Sequence, residues 1–186
     1  MSDVGQMTKH TVGALGIVAI AALGVHAQAP HQYTSPDGKT VAIVNPVAGT
    51  KTNESEVRIY EVAGVFSTSR LNQSFASTDG EHGFVIVRSA WSPNSDYFAF
   101  SGESSGGHQP WHSPMFVYSR RTNALYELDT CVSGIAVVAP DFELSSPQFA
   151  RVTVDDLSVG VGLAEKPRSE TYDLAAVERR CRERTG

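Results

Sequence analysis

The residues best placed to do chemistry lie in one short stretch, Gly102-Glu103-Ser104-Ser105-Gly106-Gly107-His108-Gln109-Pro110-Trp111-His112-Ser113-Pro114. From Gly102 to Gly106 it reads G-x-S-x-G, the pattern of a hydrolase nucleophile elbow. An elbow needs a helix after the serine and a histidine base later in the chain. Pro110 and Pro114 forbid a regular helix, and His112 is the last histidine of the sequence. The serine-hydrolase reading therefore fails, and a flexible Gly/Ser loop accounts for the pattern.

His108 and His112 stand four apart, and His82 precedes the strand that leads into this region. Two neutral imidazoles and a carboxylate such as Glu103 would suit zinc or copper if the loop curled around one ion. On a helix that spacing would be persuasive; between two prolines it is not, so the expectation is no metal site and no cofactor. The favoured reading is recognition through His108, Gln109, Trp111 and His112, because an exposed Trp offers large contact area beside polar handles. The competing reading has Trp111 covering a sheet edge and completing the core. A metal-binding protein or metal-dependent hydrolase built on the His108/His112 loop is the alternative function. Asp155-Asp156 point to opposite faces of a strand, and Asp79-Gly80-Glu81-His82-Gly83 reads as a hairpin turn with solvated charges. No phosphate-binding G-x-x-x-x-G-K-[ST] loop is present.

The elements that must position this loop are mainly strands. Ser35-Pro36-Asp37-Gly38-Lys39 leads into Thr40–Val44, and Trp91-Ser92-Pro93-Asn94-Ser95-Asp96 leads into Tyr97–Phe100. Pro fixes φ at the first turn position, the polar residues tolerate the next, and a β-branched or aromatic run follows. A third copy begins at Ser146-Pro147-Gln148-Phe149-Ala150 and runs into Val152-Thr153-Val154. The copies start 57 and 54 residues apart. After each Pro a second strand arrives at 21 or 22 residues, opening at Val57, Met115 and Ser169. Phe84–Val87 and Ile135–Val138 are continuous apolar runs expected to be buried on both faces, and Val159–Leu163 alternates with Gly160 and Gly162. One helix is expected at the end, where Asp173 caps Leu174–Arg184 and Leu174, Val177 and Cys181 share a face.

This pattern resembles the blade repeat of TolB-type and WD40-like β-propellers, in which a Trp-Ser-Pro-Asp-Gly-Lys turn starts a strand and a Tyr-rich strand follows. The first copy keeps Ser35-Pro36-Asp37-Gly38-Lys39, the second keeps Trp91-Ser92-Pro93, and the third only Ser146-Pro147. The resemblance implies protein–protein contact in the cell envelope through loops at one end of the sheets. At this period the chain is too short for a closed ring of four or more blades. The expected fold is therefore all-β: antiparallel blade-like sheets packed as a small sandwich or partial propeller, with a short C-terminal helix.

Residues 1–27 read as a signal peptide, leaving 28–186 as a single β domain with repeats starting near 35, 92 and 146. Lys9 and His10 precede an apolar run, Val12–Val25, that closes on Val25-His26-Ala27. At about 1.5 Å per residue the run would span about 21 Å of a roughly 30 Å hydrocarbon core, so cleavage is preferred to anchoring. Met7 would give a better n-region than Met1, and no Cys closes the run to accept a lipid. The expected location is periplasmic or secreted, without a stable membrane span.

The 186 residues carry a formal net charge of −5, which argues against nucleic acid or anionic membrane as partner. The basic cluster Arg179, Arg180, Arg182 and Arg184 is better read as complementing a helix C-terminus. The partner expected is an envelope protein or another ligand. Cys131 and Cys181 are the two cysteines, and an exported chain would join them.

Overall fold

The computed structural model describes residues 30–157 and 167–185. The signal-peptide reading and the Val159–Leu163 strand lie outside those residues. Three antiparallel sheets follow one another along the chain. Sheet 1 holds β1 (His31–Thr34), β2 (Thr40–Pro46), β3 (Ser55–Ala63) and β4 (Phe66–Ser74), in that order. Sheet 2 holds β5 (Phe84–Trp91), β6 (Tyr97–Ser104), β7 (Met115–Ser119) and β8 (Ala124–Glu127), again in chain order. Sheet 3 orders β9 (Ile135–Ser145), β10 (Phe149–Asp156) and β11 (Arg168–Asp173) as β11-β10-β9. A one-turn helix, α1 (Leu128–Cys131), links β8 to β9, and α2 (Leu174–Thr185) closes the chain.

Two of the repeated turns are built alike. Ser35 takes the Thr40 amide on its hydroxyl at 3.0 Å while its own amide donates to the Thr40 carbonyl at 2.8 Å. Ser92 does the same with Tyr97, at 3.0 and 2.8 Å. The hydroxyls then donate to Asp37 and Asn94, both at 2.7 Å. A side chain two residues on thus holds the turn, and the strand register follows from it. Ser146 occupies the corresponding place between β9 and β10.

Sheet 2 is the middle layer, and β6 and β7 show why. Phe98, Phe100, Phe116 and Tyr118 pack with Ala42, Val44, Val57 and Ile59 of sheet 1. The alternate residues Tyr97, Ala99, Met115 and Val117 pack with Val137, Phe142, Val152, Val154 and α2. Period-2 alternation therefore sends two apolar sets into two cores, which is why these strands read as continuous apolar runs. Trp91 Nε1 donates to the Tyr33 carbonyl at 2.9 Å, tying sheet 2 to sheet 1. The sheets close into no barrel among the described residues.

Four expectations are corrected. Phe84–Val87 is not buried on both faces: β5 is the edge of sheet 2, and Val87 is 46% exposed. The Asp79–Gly83 segment is no hairpin turn, since it joins β4 of sheet 1 to β5 of sheet 2. The run Leu125-Tyr126-Glu127-Leu128 reads as one strand in sequence, but β8 ends at Glu127 and Leu128 opens α1, its side chain fully buried in the core beside Cys131. And α2 is not the sole helix, although α1 is too short for any periodicity to betray it.

Helix α2 forms as its sequence indicates. Asp173 Oδ1 accepts the Ala175 amide at 2.9 Å, and Leu174, Val177 and Cys181 are buried. The Cys131–Cys181 disulfide joins α1 to α2, with the Cα atoms 4.9 Å apart. Asp173 also accepts Gln148 Nε2 at 2.9 Å. Replacing Asp173 with Ala should cost about 1 kcal/mol, the usual value of an N-cap. Urea unfolding of the variant against the parent measures it.

Candidate functional site

At the end of sheet 2 where β6 stops, two loops come together: 75–83 between β4 and β5, and 105–114 between β6 and β7. They are pinned by a carboxylate that no local pattern marks. Glu54, just before β3, is fully buried. It accepts the Ser77 amide at 2.9 Å, the Ser77 hydroxyl at 2.9 Å, the Gly83 amide at 2.5 Å and the Ser105 hydroxyl at 2.7 Å. Burial is the largest single influence on this group and works to raise its pKa. The hydrogen bonds from Ser105, Gly83 and Ser77 together outweigh it and hold the carboxyl below its ordinary value. Gly83 has to be glycine, because a Cβ there would overlap the Phe75 carbonyl and the Glu54 carboxylate.

On this base the four expected contact residues take different positions. The His108 ring stacks on His82, centroids 4.6 Å apart at 19°. Asp79 accepts from His82 Nδ1. The Gln109 carbonyl accepts the His112 amide at 3.1 Å. Trp111 is 45% exposed and stacks on His112, centroids 5.5 Å apart. It therefore does not complete the core. His112 is half-buried, and its Nε2 meets Asp129 Oδ2 at 2.7 Å. That hydrogen bond pushes the imidazole pKa up, against the opposing effect of burial.

The grouping of His108 and His112 with Glu103 around one ion is not what the fold produces. The two rings go to different partners, His82 and Asp129, because the loop between the prolines is not helical. His112 instead meets Glu127 and Asp129, one ligand atom from each lying within 4.8 Å of the others. Glu127 has its pKa raised, first by burial and then by the neighbouring Asp129. The Asp129 pairing was out of reach of sequence reasoning, since nothing local marks a contact 17 residues away. The G-x-S-x-G match is also resolved: Ser104 ends β6, and the Ser105 hydroxyl is committed to Glu54.

The opposite end of the same strands carries a polar cleft of about 530 Å³, bordered by Asp37, Glu61, Arg70, Asp96, Arg120 and Asn123 among others. Its charges are largely paired internally: Arg120 donates to Asp37 at 2.8 Å, and Arg70 to Glu61. Asp37 is held far below the usual carboxylate range, since hydrogen bonds from Arg120, Ser35 and Lys39 overcome the opposing effect of burial. Beyond the cleft the β3–β4 hairpin exposes Val65 and Phe66, at 94% and 77%. At about 3.3 Å per residue along β6, the two ends are about 25 Å apart.

No protein-family model and no curated protein matches the sequence. Among solved structures the chain is similar to puromycin hydrolase, at 13% identity and TM-score 0.46, over 78% of this chain and 20% of that one. It is similar to the β-propeller domain of the Trilobed protease from Pyrococcus furiosus at 16% identity and TM-score 0.37, over 76% of this chain and 42% of that one. A protein from Clostridium novyi NT described as a conserved lipoprotein aligns at 12% identity and TM-score 0.41, over 76% and 83% of the two chains. The chain thus spans a fifth of the first and under half of the second. No helix among the described residues is long and apolar enough to cross a membrane. By its own strands the chain is a mainly antiparallel β protein of three sheets with a short C-terminal helix.

Proposed function

We propose that the chain is an exported, non-catalytic recognition module that contacts a protein of the cell envelope through the 105–114 loop. The observation that carries this is Trp111, 45% exposed on a loop whose base is fixed by buried polar contacts. A large apolar side chain already held in place loses little conformational freedom on binding, which favours affinity. His108 and Gln109 supply polar contacts beside it, and His112 holds the Trp from below. The disulfide is compatible with an oxidising compartment and supports the exported reading.

The test is a photo-crosslinking amino acid placed at position 111 or at position 65 of the full chain and irradiated in cells. A discrete protein adduct from position 111, with none from 65, is expected. Trp111→Ala should weaken capture of that protein by at least about 30-fold, as loss of a central aromatic anchor does. Adducts from position 65 alone would move the interface to the opposite end and overturn the proposal, as would capture insensitive to Trp111→Ala.

A further inference from the structure

We propose that His112, Glu127 and Asp129 form a site for one divalent cation of the zinc class, seated beneath the recognition loop. The three residues come from different elements: His112 from the loop before β7, Glu127 from the end of β8, and Asp129 from α1. The β7–β8 pairing of Phe116 with Glu127 brings β8 to that side, and the Ser113 amide donates to the Val137 carbonyl at 2.8 Å. All three side chains are half-buried, with one ligand atom of each within 4.8 Å of the others.

A second observation concerns the Asp129 carboxylate itself. Asp129 Oδ2 is used twice, by His112 at 2.7 Å and by the Val137 amide at 3.1 Å. Its other oxygen, Oδ1, is sealed from solvent and has no hydrogen-bond partner. A buried carboxylate oxygen left without a partner costs free energy, and most such atoms in folded proteins are satisfied. A cation held by Asp129 through Oδ1 would satisfy that atom and neutralise the two adjacent carboxylates. One imidazole nitrogen with two carboxylates suits zinc, whereas calcium and magnesium want oxygen donors alone. The cation would join the loop to β8 and α1, and so to both cores.

Chelator-stripped, untagged full chain is titrated with zinc by calorimetry, and metal content is measured by mass spectrometry. The expected result is one equivalent bound by the parent and by a His82→Ala, His108→Ala double variant, with calcium failing to compete. Glu127→Gln and His112→Ala should each weaken zinc binding by roughly 100-fold or more, at least the upper end of what losing an outer-sphere partner costs. Glu127→Gln keeps the side-chain volume, so it remains informative if His112→Ala unfolds the loop. Cobalt(II) supplies a second readout, since its visible spectrum should change in Glu127→Gln and not in the double variant. Failure of the parent to bind zinc would overturn the proposal, as would binding unchanged in Glu127→Gln or lost only with His82 and His108.

Discussion

Glu54→Gln should lower the unfolding free energy by about 2–4 kcal/mol and loosen both loops at the Trp111 end. The carboxylate is buried and every polar neighbour donates to it: two backbone amides and two hydroxyls. An amide of the same shape points an NH2 group at one or more of those donors, leaving buried N–H or O–H groups unpaired at about 1–3 kcal/mol each. The pH dependence has a definite sign. Because the folded carboxyl lies below its ordinary value, its contribution is fully present above the unfolded value of about 4.3 and fades as pH falls through the depressed folded value. Urea unfolding from pH 7 down to 3 should show a parent-to-variant gap that is constant to about pH 5 and narrows below. A gap under about 1 kcal/mol at pH 7, or one that widens in acid, would contradict the role assigned to Glu54.

Cys131→Ser with Cys181→Ser should be the most destabilising change, at about 4 kcal/mol in the chain-entropy model for a loop of this size. The bridge closes a separation of 50 residues that contains all of sheet 3. It also holds α2 against α1, with help from Arg184, which donates to the Thr130 carbonyl and the Ser133 hydroxyl. In the reduced parent the same loss is expected, so urea midpoints with and without reductant should differ by as much as those of parent and double variant. Equal midpoints in the two conditions would show that the bridge does not stabilise the fold.

How much of this was legible depends on whether the cause was local. The turns at Ser35 and Ser92 are held by hydrogen bonds spanning five residues or fewer, so the motif alone located them and the strands β2 and β6 behind them. The Asp173 cap and the buried face of α2 are equally local. Strand β4, Phe-Ser-Thr-Ser-Arg-Leu-Asn-Gln-Ser, carries no apolar alternation because it is an exposed sheet edge; it forms because β3 offers it a ladder. Strand β5 misled for the converse reason, being apolar in sequence yet at an edge. In the site, Trp111 and its neighbours stood out by residue type, whereas what fixes them is tertiary. Glu54 lies 51 residues from Ser105, and His112 lies 17 from Asp129. A lone Glu before a strand gives no hint that four donors will surround it.

If the 105–114 loop is organised before any partner arrives, hydrogen exchange on the free protein shows it without knowledge of the partner. The Ser105 amide donates to the Gly83 carbonyl at 3.0 Å and the Ser113 amide to the Val137 carbonyl at 2.8 Å. Both should be protected alongside the amides of β6 and β7, with Ser105 losing protection selectively in Glu54→Gln. Exchange of Ser105 and Ser113 in the parent at the rate of an unstructured peptide would contradict the account, because Trp111 would then ride on a loop that is ordered only by binding.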